Sequence, residues 1–207
     1  MKKILMIGNA LIDETSFKDL DSIRIDNQTE KGITIEKAYK KIKQHLKKNN
    51  DYEYAIVSFG SNESEYVWHY VNQQVVFKPQ VEVKKFRKKY DKLLKLLSKY
   101  PIKPILLTTP PVIKKDFYQW ILNQINDDLT LLQDLNCEDK VYYYHELYNS
   151  AVVELFHKHQ TKIINLKEVN QGNYEDLLKD NLIYLNQKGQ SKINEFITSE
   201  VKNILNS

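Results

Sequence analysis

Short apolar runs alternate along this chain with longer stretches in which apolar residues recur every three or four positions. An apolar run bounded by polar residues predicts a buried strand, and the recurring spacing predicts an amphipathic helix. Five runs predict strands, over residues 2–7, 23–25, 54–59, 104–109 and 162–166. Because helical stretches separate them, the pattern predicts βαβ units: an α/β fold with a five-stranded parallel sheet and helices on both faces.

The helical stretches carry their own boundary signals. Helices are predicted over residues 34–48, 81–100, 117–135 and 144–156, followed by a last helix that begins at Asn186. Pro101 closes the second helix, since proline lacks the N–H group that a continuing helix needs. Asn186 is a suitable N-cap, because its side chain can accept a hydrogen bond from the first helical turn.

The bulk composition predicts one domain, over residues 1–207, with no disulfide. The chain is long enough to bury a core, 42% of its residues are hydrophobic, and Cys137 is its one cysteine. No apolar run approaches the roughly 20 residues that span a bilayer. The opening apolar stretch is too short for a signal peptide, so we expect a cytoplasmic protein without a membrane span. The 31 basic and 27 acidic residues are interspersed, which argues against nucleic acid as a partner.

Three of the five glycines mark places where a ligand could approach the backbone. Gly8, Gly32 and Gly60 fall at the ends of predicted strands or just beyond them. Glycine allows tight turns and close approach, and ligands of parallel sheets bind at the carboxyl ends of the strands. The sequence therefore predicts a site at that edge of the sheet.

Five short blocks occur in order at these positions. They are Ile-Gly-Asn-Ala-Leu at 7–11, Lys-Gly-Ile-Thr at 31–34, Gly-Ser-Asn at 60–62, Thr-Pro-Pro at 109–111 and Asn-Leu-Ile-Tyr-Leu-Asn at 181–186. Together they make the chain resemble, over essentially its whole length, the SGNH or GDSL-type hydrolases, which include esterases, acylhydrolases and sugar O-acetyl esterases. The resemblance implies a flavodoxin-like three-layer α/β/α fold and acyl-transfer chemistry without a cofactor.

The chain departs from that family at the three positions of the catalytic triad. Where the family has serine, aspartate and histidine, this chain has Ala10, Asn181 and Tyr184. Alanine has no hydroxyl to attack, asparagine has no charge to stabilise an imidazolium, and a phenol with a pKa of about 10 is a poor general base at neutral pH. Shifting the last block by one residue recovers a carboxylate at Asp180 but puts Ile183 where histidine is needed. An engineered serine-to-alanine change would explain Ala10 alone, so we interpret the three substitutions as natural loss of the triad.

The positions that match the family's oxyanion donors are retained. By the resemblance, Asn62 offers its amide and Gly32 its backbone N–H to a carbonyl oxygen, and Asn9 and Gly60 complete the predicted binding residues. We therefore hypothesise a catalytically impaired protein whose pocket binds an acyl, ester or acetylated-sugar ligand, or whose surface serves a protein partner. The alternative is an active ester hydrolase with unorthodox groups, such as His69 as base and water as nucleophile. His69 lies in an aromatic segment that we expect to be a loop.

Other residues with reactive side chains give weaker signals. Thr15 and Ser16 follow the first block but have no adjacent base in the sequence. His157 and His159 are two positions apart and point away from each other on a helix, so we expect no metal site. Packing at a helix surface or at the edge of the core is sufficient to explain His145.

Overall fold

Strands and helices occur in mixed order along the chain. The structure is a computed structural model that describes residues 1–11, 17, 23–72, 74–132, 135–169, 174–179 and 184–207. Its strands are β1 (Lys2–Gly8), β2 (Ile23–Asn27), β3 (Tyr54–Ser58), β4 (Tyr66–Val71), β5 (Gln74–Pro79), β6 (Lys103–Leu107) and β7 (Lys162–Ile164). Its α-helices are α1 (Ile35–His45), α2 (Ser61–Ser64), α3 (Val83–Leu97), α4 (Lys114–Gln124), α5 (Glu138–His159) and α6 (Gln187–Asn206).

A five-stranded parallel sheet with the order β2-β1-β3-β6-β7 forms the centre of the fold. This confirms the predicted α/β class and the predicted parallel sheet. The chain leaves β1 towards one edge of the sheet and returns on the other side of β1 as β3. The strand order therefore reverses between β1 and β3, and ligands of open α/β sheets bind at such switch points.

The side chains of β1 alternate between two hydrophobic cores. Leu5 and Ile7 join the core on one face, together with buried residues of α1, α3 and α5. Ile4 and Met6 join the core on the opposite face, where they pack with α6. A strand that is buried on both faces has a continuous run of apolar residues, so β1 was predictable from the sequence.

A third cluster of buried residues lies apart from the sheet, and we call it the hairpin-side cluster. It consists of Tyr66, Phe77, Phe117, Ile121, Ile125, Leu132 and Val141. Strands β4 and β5 form an antiparallel hairpin that contributes its first two members. The sequence interpretation of this segment as a loop is wrong: it forms two paired strands.

The predicted helix over residues 117–135 is shorter than expected. It begins at Lys114 and ends at Gln124, and a 3-10 turn at Leu129–Leu132 follows. Asn126 and Asp127 have φ angles of 50° and 61°, in the left-handed region that a continuous α-helix does not use. Asparagine and aspartate enter that region more readily than most residues, so the pair ends the helix.

The N-cap predicted at Asn186 is confirmed. The side chain of Asn186 accepts a hydrogen bond of 2.8 Å from the backbone N–H of Gly189, in the first turn of α6. Within the described residues, none of the helices combines the length and apolar character needed to cross a bilayer.

Candidate functional site

The turn after β1 is held against the end of β3. Gly8 has a φ of 116°, and a Cβ atom at this position would lie 2.0 Å from the backbone oxygen of Ser58. The next residue, Asn9, donates its backbone N–H to the same oxygen at 2.9 Å. Only glycine fits so close to the Ser58 oxygen. The resulting turn places Ala10, which is exposed, just beyond the end of the strand.

The turn after β3 bonds to the segment that leads into α1. Gly60 has a φ of 124°, and a Cβ atom there would meet the Thr109 side chain at 2.6 Å. Asn62, half-buried in α2, donates its Nδ2 hydrogen to the backbone oxygen of Ile33 at 3.1 Å. Since Gly32 precedes Ile33, this bond brings the second and third sequence blocks together. An amide nitrogen carries two hydrogens, so one donor of Asn62 is not used by this bond.

Glu63 makes a second connection between the same two segments. Its side chain is 1% exposed and accepts hydrogen bonds from the backbone N–H of Ile35 at 2.6 Å and of Gly60 at 2.8 Å. Burial raises the pKa of the Glu63 carboxyl, while these two N–H groups oppose the shift. Asn62 and Glu63 together fix the position of the turn after β3 relative to the start of α1.

Tyr184 also reaches this group of loops. Its hydroxyl donates a hydrogen bond of 2.6 Å to the carboxylate of Glu65, which directly follows α2. Burial, and then the neighbouring carboxylate, raise the pKa of the Tyr184 phenol above its usual value. The phenol therefore stays protonated at neutral pH and acts as a hydrogen-bond donor.

Part of the last sequence block lies outside the described residues. A hydrogen bond joins the residues on either side of that part. Asn181, Asp180 and Ile183 belong to that part. The backbone N–H of Lys179 donates to the oxygen of Tyr184 at 2.8 Å. Beyond this block, the side chain of Gln190 in α6 donates to the backbone oxygen of Leu11, which connects α6 to the first block.

Hydrogen bonds thus connect the first block to β3 and to α6, the second block to the third, and the last block to Glu65 at the end of α2. Asn9, Gly32, Gly60 and Asn62 lie on these connected turns at the carboxyl ends of β1, β2 and β3. This edge can offer a donor to an oxygen atom, because the bond to Ile33 uses only one of the two amide hydrogens of Asn62. Ala10 supplies no nucleophile there.

The structure corrects the expectation for His69 and excludes the helix surface, one of two alternatives, for His145. His69 lies in β4 rather than in a loop, and one ring nitrogen is 3.1 Å from the backbone oxygen of Pro79. His145 is only 4% exposed, so it belongs to the interior rather than to a helix surface. Its ring centroid lies 4.9 Å from that of Phe117, and neither of its nitrogens has a hydrogen-bond partner among the described residues.

The remaining candidates take no part in these connections. His159 pairs with Asp91 at 2.9 Å, and His157 contacts the ring of Phe156. Thr15 and Ser16 lie outside the described residues. Within the part of the chain that the structure describes, no cluster of three or more histidine, cysteine, aspartate or glutamate side chains is arranged to hold a metal ion.

Sequence reasoning missed Glu63 and the hairpin. The signal for Glu63 was its place three residues after Gly60, where a carboxylate can reach back to the N-cap backbone. The signal for the hairpin was the alternation of aromatic and β-branched residues from Tyr66 to Val71.

Sequence comparisons alone do not assign a family. No protein-family model matches the chain, and no curated protein matches it.

Solved structures share its fold over nearly the full length of both chains. A lipase/acylhydrolase from Enterococcus faecalis is 16% identical, with 98% of this chain and 96% of that chain covered and a TM-score of 0.66. The esterase EstA from a Pseudoalteromonas species is 14% identical, with complete coverage of both chains and a TM-score of 0.66. An acetyl esterase mutant with serine replaced by alanine, solved with an acetate ion, is 11% identical, with 100% of this chain and 99% of that chain covered and a TM-score of 0.65. This chain therefore has the fold of the SGNH, or GDSL-type, lipases and acylhydrolases that its sequence blocks resemble.

Proposed function

We propose that this protein binds the carbonyl group of an acyl, ester or acetylated-sugar ligand at the carboxyl end of the sheet and does not hydrolyse it. The observation that carries the proposal is Ala10. It stands on the turn where the fold's hydrolases are expected to present serine, and it is exposed at the end of β1 beside connected, donor-bearing turns.

Acyl transfer requires a nucleophile and a base that takes its proton. Ala10 has no hydroxyl. Tyr184 keeps its proton, because burial and Glu65 raise the pKa of its phenol, and Glu65 accepts the hydrogen bond from that phenol. Neither of these two positions can therefore carry out its part of the reaction.

Binding of a carbonyl oxygen requires only donors held in fixed positions. Asn62 is held by its bond to Ile33, and the adjacent Glu63 ties the same turn to the start of α1. Because the donors are positioned before a ligand arrives, binding does not require the turns to be ordered first. An acetyl esterase mutant of this fold that lacks a serine was solved with an acetate ion, which supports acetyl compounds as the first ligands to test.

The experiment compares triacetin, an acetyl ester, with glycerol, which lacks the acetyl groups. We expect triacetin to raise the melting temperature of the protein and glycerol at equal concentration to have no such effect, because a ligand selective for the folded state stabilises it. Asn62→Ala should abolish the shift relative to its own melting temperature. Asn203→Ala, at the end of α6, is the control and should retain it.

Hydrolysis of p-nitrophenyl acetate tests the other half of the proposal. We expect the rate in the presence of the protein to equal the rate in buffer. Turnover well above buffer that disappears in Asn62→Ala would establish the alternative, an active hydrolase with unorthodox groups. The triple change Ala10→Ser, Asn181→Asp and Tyr184→His should create hydrolysis. A folded triple variant without activity would show that these positions do not correspond to a triad.

A further inference from the structure

A cavity of about 510 Å³ lies between the β4–β5 hairpin and the chain that precedes α5. Its apolar walls include Tyr66, Phe77, Tyr144, Leu131, Leu132 and Leu135. None of the predicted carbonyl-binding residues lines it. Its volume falls in the range of about 300–1,000 Å³ that small-molecule sites occupy.

Three aromatic rings form one wall of this cavity. The ring of Tyr66 lies 5.6 Å from that of Phe77 and 6.4 Å from that of Tyr144, measured between centroids. The leucines of the segment before α5 supply aliphatic surface to the same cavity. Aromatic rings pack favourably in stacked or edge-to-face arrangements at these separations, so a flat aromatic molecule suits this wall.

The charged residues of the lining compensate one another. The ammonium of Lys78 lies 3.2 Å from the carboxylate of Glu82, and both residues line the cavity. A charged ligand that enters the cavity loses its hydration and meets no unpaired opposite charge in return. Its transfer from water therefore costs free energy. The lining therefore favours an uncharged ligand.

We propose that this cavity is a binding site for a small, uncharged aromatic molecule. The size of the cavity, its aromatic wall and its compensated charges each indicate that class. The site is separate from the carbonyl-binding edge of the sheet, so either site can be tested without the other.

The probe is 2-naphthol, which is fluorescent, uncharged at neutral pH and of suitable shape. We expect saturable binding with a dissociation constant below about 1 mM. Val76→Trp should weaken binding at least tenfold, because Val76 lines the cavity and the larger ring fills it. Val75→Trp is the matched control, since Val75 is the adjacent residue of β5, is 57% exposed and does not line the cavity. Equal binding by both variants, or none by the original protein, would overturn the proposal.

A further comparison tests the chemical class. The anion 2-naphthoate should bind more weakly than 2-naphthol. Tighter binding of the anion would show that the site selects charge.

Should Val76→Trp fail to fold, changes in amide chemical shifts of the original protein can locate the bound ligand instead. With 2-naphthol, the largest changes should fall within residues 71–79 and 131–144, and changes centred on Asn62 would contradict the assignment.

Discussion

Two regions of the molecule differ in how their buried polar groups are bonded. One region is the pair of turns after β1 and β3, and the other is the hairpin-side cluster with its immediate neighbours. In the turns, the carboxylate of Glu63 accepts two backbone N–H groups, and Asn62 bonds across to the segment before α1. In and beside the cluster, the hydroxyl of Tyr66 and both ring nitrogens of His145 have no partner among the described residues. In the first region the buried polar side chains are bonded, and in the second these buried polar groups are surrounded by apolar packing.

The difference indicates which region keeps one geometry and which can adapt. A fully bonded polar network specifies a unique arrangement, because each displaced group loses a partner. A cluster around a cavity can repack when a ligand enters or when a side chain changes. Substitutions in the two regions should therefore have different sizes and different pH dependence.

The largest effect should come from adding one methyl group at Gly8. In Gly8→Ala, the new Cβ would lie 2.0 Å from the Ser58 oxygen at a φ of 116°, so the ends of β1 and β3 must separate. We expect a loss of about 4 kcal/mol in the free energy of unfolding, measured by urea denaturation. Gly32→Ala is the control: its Cβ would meet nothing within 4 Å, and a loss of about 1 kcal/mol is expected. Similar losses in both would show that the turn after β1 is not tightly constrained.

Removing the Glu63 side chain should have the next largest effect. In Glu63→Ala, the backbone N–H groups of Ile35 and Gly60 lose their acceptor in a buried place. We expect a loss of about 3 kcal/mol in the free energy of unfolding. Glu200→Ala, on the polar face of α6, should change it by less than about 0.5 kcal/mol. A Glu63 variant as stable as the original would mean that other groups, or water, satisfy these donors.

Beside the hairpin-side cluster, His145 should make the free energy of unfolding depend on pH. Burial lowers the pKa of His145 to about 4, while its pKa in the unfolded chain is near 6.5. As the pH falls below that unfolded value, the unfolded chain takes up a proton that the folded protein excludes, so stability is lost towards pH 4. Between about pH 7 and pH 5 this histidine should account for about 2 kcal/mol of lost stability. Its contribution is the difference between the original protein and His145→Phe at each pH. His157→Phe, at an exposed position of the same helix, should keep the original pH dependence, and a His145→Phe variant that does the same would refute the effect.

The smallest effect should come from Tyr184→Phe. The hydrogen bond to Glu65 joins two partly exposed side chains, and such bonds compete with water. We expect a loss of about 0.5 kcal/mol in the free energy of unfolding and no change in the background hydrolysis of p-nitrophenyl acetate. A loss of several kcal/mol would place this contact among the bonds that hold the turns together.

The parts of the fold that were predictable from the sequence are those with a strong local pattern. β1 and β3 are buried on both faces, so each is a continuous apolar run, and Asn186 is a residue type with a strong preference for its N-cap position. The hairpin was missed because its strands lack a glycine between them. Asn72 supplies the positive φ of the turn instead, and asparagine signals a turn less distinctly than Asn-Gly.

The sequence predicted where the residues of the candidate site lie along the chain, but not the hydrogen bonds that join them. Local motifs placed Gly8, Gly60 and Asn62 at the ends of strands, and the structure places them there. The bonds from Asn62 to Ile33 and from Ile35 to Glu63 join residues 28 or 29 positions apart. No local pattern encodes such pairs, because they arise only when the sheet brings the two turns together.

The turn of the hairpin also offers an attachment point for an optical reporter. Asn72 is exposed and lines the cavity. The chain has one cysteine, Cys137, which is partly buried. A thiol introduced by Asn72→Cys could therefore be labelled with an environment-sensitive dye, preferentially over the native one. The dye would convert occupancy of the cavity into a colour or intensity signal, which would allow compound libraries to be screened without a functional assay.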